Sequence, residues 1–275
     1  MKPLQHVQYI RDPRLAGVEV CHVLNSNHCF PNHFHDDVYA VGIMEKGYSY
    51  CLGPTREEAL VGTGKIALIN PGQVHSGVPA GVSRLNYTML YVDAELMRGT
   101  ACDLTQKDHN YPEFNNIIIH SPVLFPRLQS LCTALASPAD LLEKQSLITE
   151  TLSRILLRHC GIQRAETSGS NESWAVRQAK ELLSADIEAA ISLDEAAETV
   201  GLSKYHFLRI FKKATGMPPH AYRTVKRIEV SRALIKKGIP LAQIALETGF
   251  SDQSHFSNTF RNYIGSTPKQ YLLGN

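Results

Sequence analysis

The stretch 193-LDEAAETVGLSKYHFLRIFKKATGMPPHAY-222 recurs further along the chain as 241-LAQIALETGFSDQSHFSNTFRNYIGSTPKQY-271. Ala197 and Gly201 match Ala245 and Gly249 at an offset of 48. Phe207, Phe211, Gly216, Pro219 and Tyr222 match Phe256, Phe260, Gly265, Pro268 and Tyr271 at an offset of 49. One extra residue in the second copy's turn accounts for the step, and ordered agreement of this kind marks an internal repeat. Each copy has the composition of two helices joined by a tight turn. A small alanine sits where the helices approach, a glycine where the chain turns through positive φ, and Leu202 or Phe250 plugs the angle. Ser203 is the expected N-cap of the second helix in one copy, Ser251 or Asp252 in the other. The paired phenylalanines, four residues apart, bury one face and leave the opposite face free to enter a major groove. That face carries Lys204, Tyr205, Leu208 and Arg209 in the first copy, and Gln253, Ser254, Ser257 and Asn258 in the second.

Between the copies runs 219-PHAYRTVKRIEVSRALIKKG-238. Tyr222, Val225, Ile228 and Leu234 form an apolar stripe, which predicts one long helix ending near Gly238. A rigid connector would hold two reading heads at a fixed separation, and successive major grooves on one DNA face lie about 34 Å apart. Charge agrees with this. Residues 174–275 hold 14 Lys+Arg against 9 Asp+Glu, whereas residues 1–173 hold 14 against 17. A basic C-terminal part on an otherwise mildly acidic chain suits a nucleic-acid partner. Lys212, Lys213, Arg223, Lys226 and Arg261 are the expected phosphate contacts or solvated charges, which position without specifying.

These residues resemble the AraC family of bacterial transcription regulators over about 175–273. The second copy is the more specific part: IALETGFSDQSHFSNTFRNYIGSTPKQY follows the family pattern of IA, GF, S-x-F, F with a basic neighbour, and G-x-x-P-x-x-Y. The resemblance implies a C-terminal all-α domain of two helix-turn-helix units. Its base-reading positions fall on Tyr205, Leu208 and Arg209, then on Gln253, Ser254 and Asn258, with Leu208 suited only to a thymine methyl group. Asn258 stands where the family often has a basic residue. Promoter DNA and RNA polymerase are the partners implied, and activation is implied over repression.

Further N-terminal, the chain is rich in Gly, Pro and β-formers, as in YAVGIMEKGYSYCLG and GKIALINPG, which predicts short antiparallel strands over the first hundred residues. Two motifs stand out there, 31-PNHFHDDVYAVGIMEKG-47 and 64-GKIALINPGQVHSG-77. His33 and His35 share one side of a strand, and Pro71-Gly72 turns the chain before His75. The pair resembles the two cupin motifs, H-x-H and G-x(6)-P-G-x-x-H. It implies a small β-barrel open at one end, used as a sensor of a small molecule. His33, His35, Tyr39, His75, Arg84 and Tyr87 are the candidate effector-binding groups, Arg84 as a bidentate partner for a carboxylate, with Arg11 a weaker candidate. His33, His35 and His75 are also an alternative metal set. The acidic ligand of the cupin enzymes, due four residues after the second histidine, is replaced by Tyr39, with Asp36 and Asp37 out of place, so neither a metal nor another cofactor is expected. The same histidines could instead only satisfy hydrogen bonds in the barrel wall.

The expected architecture is therefore α+β multidomain. A cupin-like β-barrel occupies 1–120, a helical linker or dimerisation segment 121–162, and a double helix-turn-helix domain 174–275. Helical patterns at 122–136 and 140–159 fill the middle segment. The stripe of Leu141, Ile148, Leu152 and Ile155 either pairs two subunits into a homodimer or packs on the barrel, and 161-GIQRAETSGSNES-173 reads as a flexible linker. The N-terminus lacks the apolar core of a signal peptide, and no apolar run approaches membrane-spanning length. The six cysteines form no Cys-x-x-Cys pair and read as reduced, mostly buried thiols of a cytoplasmic protein. Two rivals come from other classes: a metal-dependent cupin enzyme fused to DNA-binding heads, against which the missing acidic ligand argues, and a helical domain that binds protein.

Overall fold

A computed structural model of the chain describes residues 6–52, 58–81, 84–163, 172–264 and 267–273; Gly265 of the repeat and most of the polar linker lie outside them. In chain order the elements are β1 (His6–Arg11), β2 (Val18–Ser26), β3 (Phe30–His33), β4 (Val38–Lys46), β5 (Tyr48–Leu52), β6 (Glu58–Gly62), β7 (Lys65–Ile69), β8 (His75–Pro79), β9 (Leu85–Asp93), α1 (Ala94–Thr105), β10 (Ile118–His120), α2 (Leu124–Ala136) and α3 (Leu141–His159). There follow α4 (Glu172–Ala185), α5 (Leu193–Glu198), α6 (Lys204–Thr215), α7 (Pro219–Lys236), α8 (Leu241–Glu247), α9 (Gln253–Ile264) and α10 (Pro268–Leu273). The chain separates into two compact units, 1–136 with 150–165, and 137–149 with 166–275.

The first unit is two antiparallel sheets, ordered β1-β2-β9-β4-β7-β10 and β3-β8-β5-β6. β4 lies between β9 and β7 and is buried on both faces from Tyr39 to Met44. Such burial explains why the YAVGIM run is apolar without alternation. The strand pattern read from sequence stops at β9. From there Asp93 caps a helix, α1, by accepting from the backbone N–H groups of Glu95 and Leu96. Cys21, Cys51 and Cys132 are buried thiols, Cys102 and Cys160 are partly exposed and Cys29 is exposed; none of the six is in a disulfide.

The second unit is helical, with one core per repeat. Phe207, Phe211, Leu193, Ala196 and Ala197 anchor the first; Phe256, Phe260, Ile244, Ala245 and Phe250 anchor the second. The repeat reproduces its own aromatic ladder. Phe207–Phe211 and Phe256–Phe260 ring centroids are both 5.7 Å apart, and Phe211–Tyr222 and Phe260–Tyr271 both 5.5 Å. The connector is the single helix α7, and Gly238 follows its C-cap at φ +77°.

Residues 137–149 pack with the helical unit, and Leu142 is part of its first core. Of the expected stripe, Ile148, Leu152 and Ile155 are buried and Leu141 partly so. One expectation is corrected here. Arg223 is not a phosphate contact. It is buried in α7 and donates from Nη2 to the carbonyl oxygens of Asp186, at 2.9 Å, and Ala189. Arg227, one turn on, donates from Nε to the Ile187 carbonyl at 2.9 Å and lies over the Phe250 ring. These two arginines tie the loop before α5 to the turn of the second copy. The rigid spine of the reading heads is thus partly polar, and an apolar stripe could not have revealed it.

Candidate functional site

Each helix-turn-helix is set by its turn. Gly201 and Gly249 adopt φ +66° and +71°, the left-handed region that only glycine enters without strain. Ser203 caps α6 through the His206 N–H, and Asp252 caps α9 through the His255 N–H at 2.8 Å. The extra residue of the second turn is visible as the shift of α9 by 49 against α8 by 48. The Asp252 carboxyl is held below its ordinary range by the N–H of His255, so it carries full charge at the helix N-terminus.

On α9, Gln253, Ser254 and Asn258 are exposed, and Ser257 partly so. On α6, Lys204, Tyr205 and Arg209 are partly exposed. Lys204 pairs with Asp194 of α5 at 2.9 Å, and Arg209 lies 3.1 Å from Nε2 of His206. Leu208 departs from the expectation. It is only 3% exposed and belongs to the first core. The buried face of α6 spans Phe207, Leu208, Ile210 and Phe211, wider than the Phe207–Phe211 pair alone suggests, and Leu208 falls inside it. Lys212, Lys213 and Arg261 are exposed, and Lys226 pairs with Glu229 along α7 at 2.8 Å.

The first unit holds a cavity of about 150 Å³ with walls from both sheets. β4, β7 and β9 contribute Met44, Ala67, Leu85, Tyr87, Met89 and Tyr91; β3, β5 and β8 contribute Phe30, His33, Cys51, His75 and Ser76. His33 and His75 are register partners across β3–β8, and the loop that turns at Pro71-Gly72 positions His75. His33, His35 and His75 bring one ring nitrogen each within 4.8 Å of one another, a donor set of the kind that holds zinc, iron, nickel or copper. His75 donates from Nδ1 to the Gln73 carbonyl at 2.9 Å, and burial depresses its pKa to about 4. Burial, then the nearby His33, also lowers that of His35.

Of the sequence candidates, His33, His75 and Tyr87 line the cavity, with His35 joining the imidazole cluster. Tyr39 and Arg84 do not. The Tyr39 hydroxyl is buried and donates to the Pro112 carbonyl at 2.5 Å, while Arg84 donates to the Asn25 carbonyl at 3.1 Å. Arg11 is an exposed ion-pair partner of Glu19 across β1–β2. Sequence reasoning missed Tyr91, Met89 and Cys51. The signal was period-two alternation along β9, where Leu85, Tyr87, Met89 and Tyr91 fall on one side.

The AraC-like ligand binding domain model matches residues 16–152 and a helix-turn-helix domain model matches 196–273. The transcriptional regulator YbfI of Bacillus subtilis is 32% identical over 82% of this chain and 81% of its own length. MarA of Escherichia coli, a multiple antibiotic resistance protein, is 34% identical over 33% of this chain and 72% of its own. A solved AraC-type regulator from Chromobacterium violaceum is 32% identical, covering 38% of this chain and 95% of that one, with a TM-score of 0.36. Among the described residues no helix is long and apolar enough to cross a membrane. Two reading units in tandem behind a β-rich ligand-binding domain, with a relative matched along most of both chains, place this protein in the AraC family of DNA-binding transcription regulators.

Proposed function

We propose that the protein is a cytoplasmic, effector-responsive activator that reads promoter DNA through α6 and α9. The carrying observation is the duplicated aromatic frame, which presents Lys204, Tyr205 and Arg209 on one helix and Gln253, Ser254 and Asn258 on the other. Arg209 is the side chain suited to bidentate reading of guanine; Gln253 and Asn258 suit adenine. Two heads on one polypeptide allow a site spanning two helical turns to be bound by a single chain. A small molecule in the barrel cavity shifts the population of DNA-competent arrangements, and RNA polymerase is the further partner.

The test is a titration of the full chain against genomic fragments at several salt concentrations. Specific binding should weaken steeply, with a log–log slope of about −0.9 per neutralised phosphate. A flat response, or equal affinity for every duplex, would overturn the reading.

A further inference from the structure

We propose that the effector is a small, uncharged, ring-sized molecule bearing a hydroxyl group, a phenol in chemical class, whose hydroxyl donates to Nε2 of His75 at the polar end of the cavity. The inference rests on the reading of the barrel as the effector domain and goes on to name the chemistry that domain selects.

Size comes first. The cavity measures about 150 Å³, and an apolar cavity of roughly that volume accepts a benzene-sized guest. Charge comes next. Among the described lining residues there is no Lys, Arg, Asp or Glu, and Arg84, the expected carboxylate partner, is turned to the Asn25 carbonyl. A carboxylate entering here would lose its water shell with no Lys or Arg among those residues to replace it. The polar end then sets the handle. Because a carbonyl oxygen can only accept, the contact between His75 Nδ1 and the Gln73 oxygen places the ring proton on Nδ1. In the neutral ring this leaves Nε2 as an acceptor, and the acceptor of a buried side chain selects a donor. Hydroxyl is the uncharged donor that a small ring carries most compactly. The rest of the wall suits a ring, with Phe30, Tyr87 and Tyr91 for edge and face contacts and Met89 for a thioether contact.

The experiment is calorimetric titration of the full chain, without DNA and in the presence of a chelator, with phenol, benzene and benzoate. Phenol should bind once per chain, benzene at least about tenfold more weakly because the His75 acceptor is left unpaired, and benzoate not measurably. Val61→Phe, which fills the cavity, should abolish phenol binding while circular dichroism stays unchanged. Should that variant fail to fold, Ala67→Leu serves the same purpose. Benzoate binding as tightly as phenol would overturn the proposal, as would equal affinity for phenol and benzene, or no heat with phenol. Phenol binding that appears only with added zinc would also overturn it, by making the three histidines a metal centre. Since these measurements need no DNA, a failed promoter response would count against the regulatory reading alone.

Discussion

Asp140 and Arg227, 87 positions apart in sequence, form an ion pair at 2.6 Å, with the aspartate side chain 17% exposed and the arginine 5%. Arg227 is also held through its Nε, which donates to the Ile187 carbonyl. Removing one member strands the other charge in the interior, which costs about 3–5 kcal/mol. Asp140→Asn should therefore lower the stability of the helical unit by an amount in that range, read by urea unfolding. A fragment of residues 174–275, which lacks Asp140 and Leu142, should melt well below one of residues 137–275. Equal melting temperatures would show that residues 137–149 contribute nothing.

Gly201 and Gly249 are equivalent in the repeat and differ in surroundings. A Cβ at Gly201 meets open space, whereas at Gly249 it would lie 2.6 Å from the Ile187 carbonyl oxygen and 2.7 Å from Nη2 of Arg227. Gly201→Ala should cost only the left-handed backbone penalty, about 1–2 kcal/mol. Gly249→Ala adds overpacking of about 1–3 kcal/mol. Thermal unfolding of the two variants side by side checks the order.

Arg209 and Leu208 are neighbours on α6 with opposite assignments. Arg209→Ala should leave the melting temperature near that of the parent and reduce discrimination of the preferred DNA site by about 1–3 kcal/mol. Leu208→Ala should do the reverse, destabilising the domain by about 2–5 kcal/mol. Footprinting and calorimetry on the two proteins separate reading from packing.

His75 gives the barrel a pH dependence. Its folded pKa is about 4 because burial disfavours the cation, while in the unfolded chain it is about 6.5. Between these values the unfolded state binds the extra proton. Stability is therefore full above pH 6.5 and falls by about 3 kcal/mol as pH drops towards 4. His75→Asn should flatten that part of the stability–pH profile. A slope unchanged in the variant would assign it to other groups.

The helix-turn-helix pair was legible because its rules are local. Turn glycines, caps and phenylalanines four apart are dictated by backbone geometry within a dozen residues, and Gly201, Ser203 and the Phe207–Phe211 pair took the places their spacing implies. The imidazole cluster was legible only in part: β3 ends at His33, so His35 joins the cluster from beyond the strand, and the β3–β8 register brought His75 opposite His33. Leu208 was misassigned because the buried face of α6 takes in Leu208 and Ile210 beyond what the two phenylalanines mark. Arg223 was misassigned because a guanidinium on a helix reads as solvent-facing until the carbonyls that receive it are known.

From residue order alone came the repeat, its turns, the connector helix and the strand-rich first half, since each follows from interactions between residues close in the chain. Tertiary structure alone decided that Asp140 meets Arg227, that Tyr39 and Arg84 turn away from the cavity, and that Tyr91 faces it. Those outcomes depend on which distant backbone groups and side chains arrive at the same place, and a charge or hydroxyl takes its role from the partner it meets there.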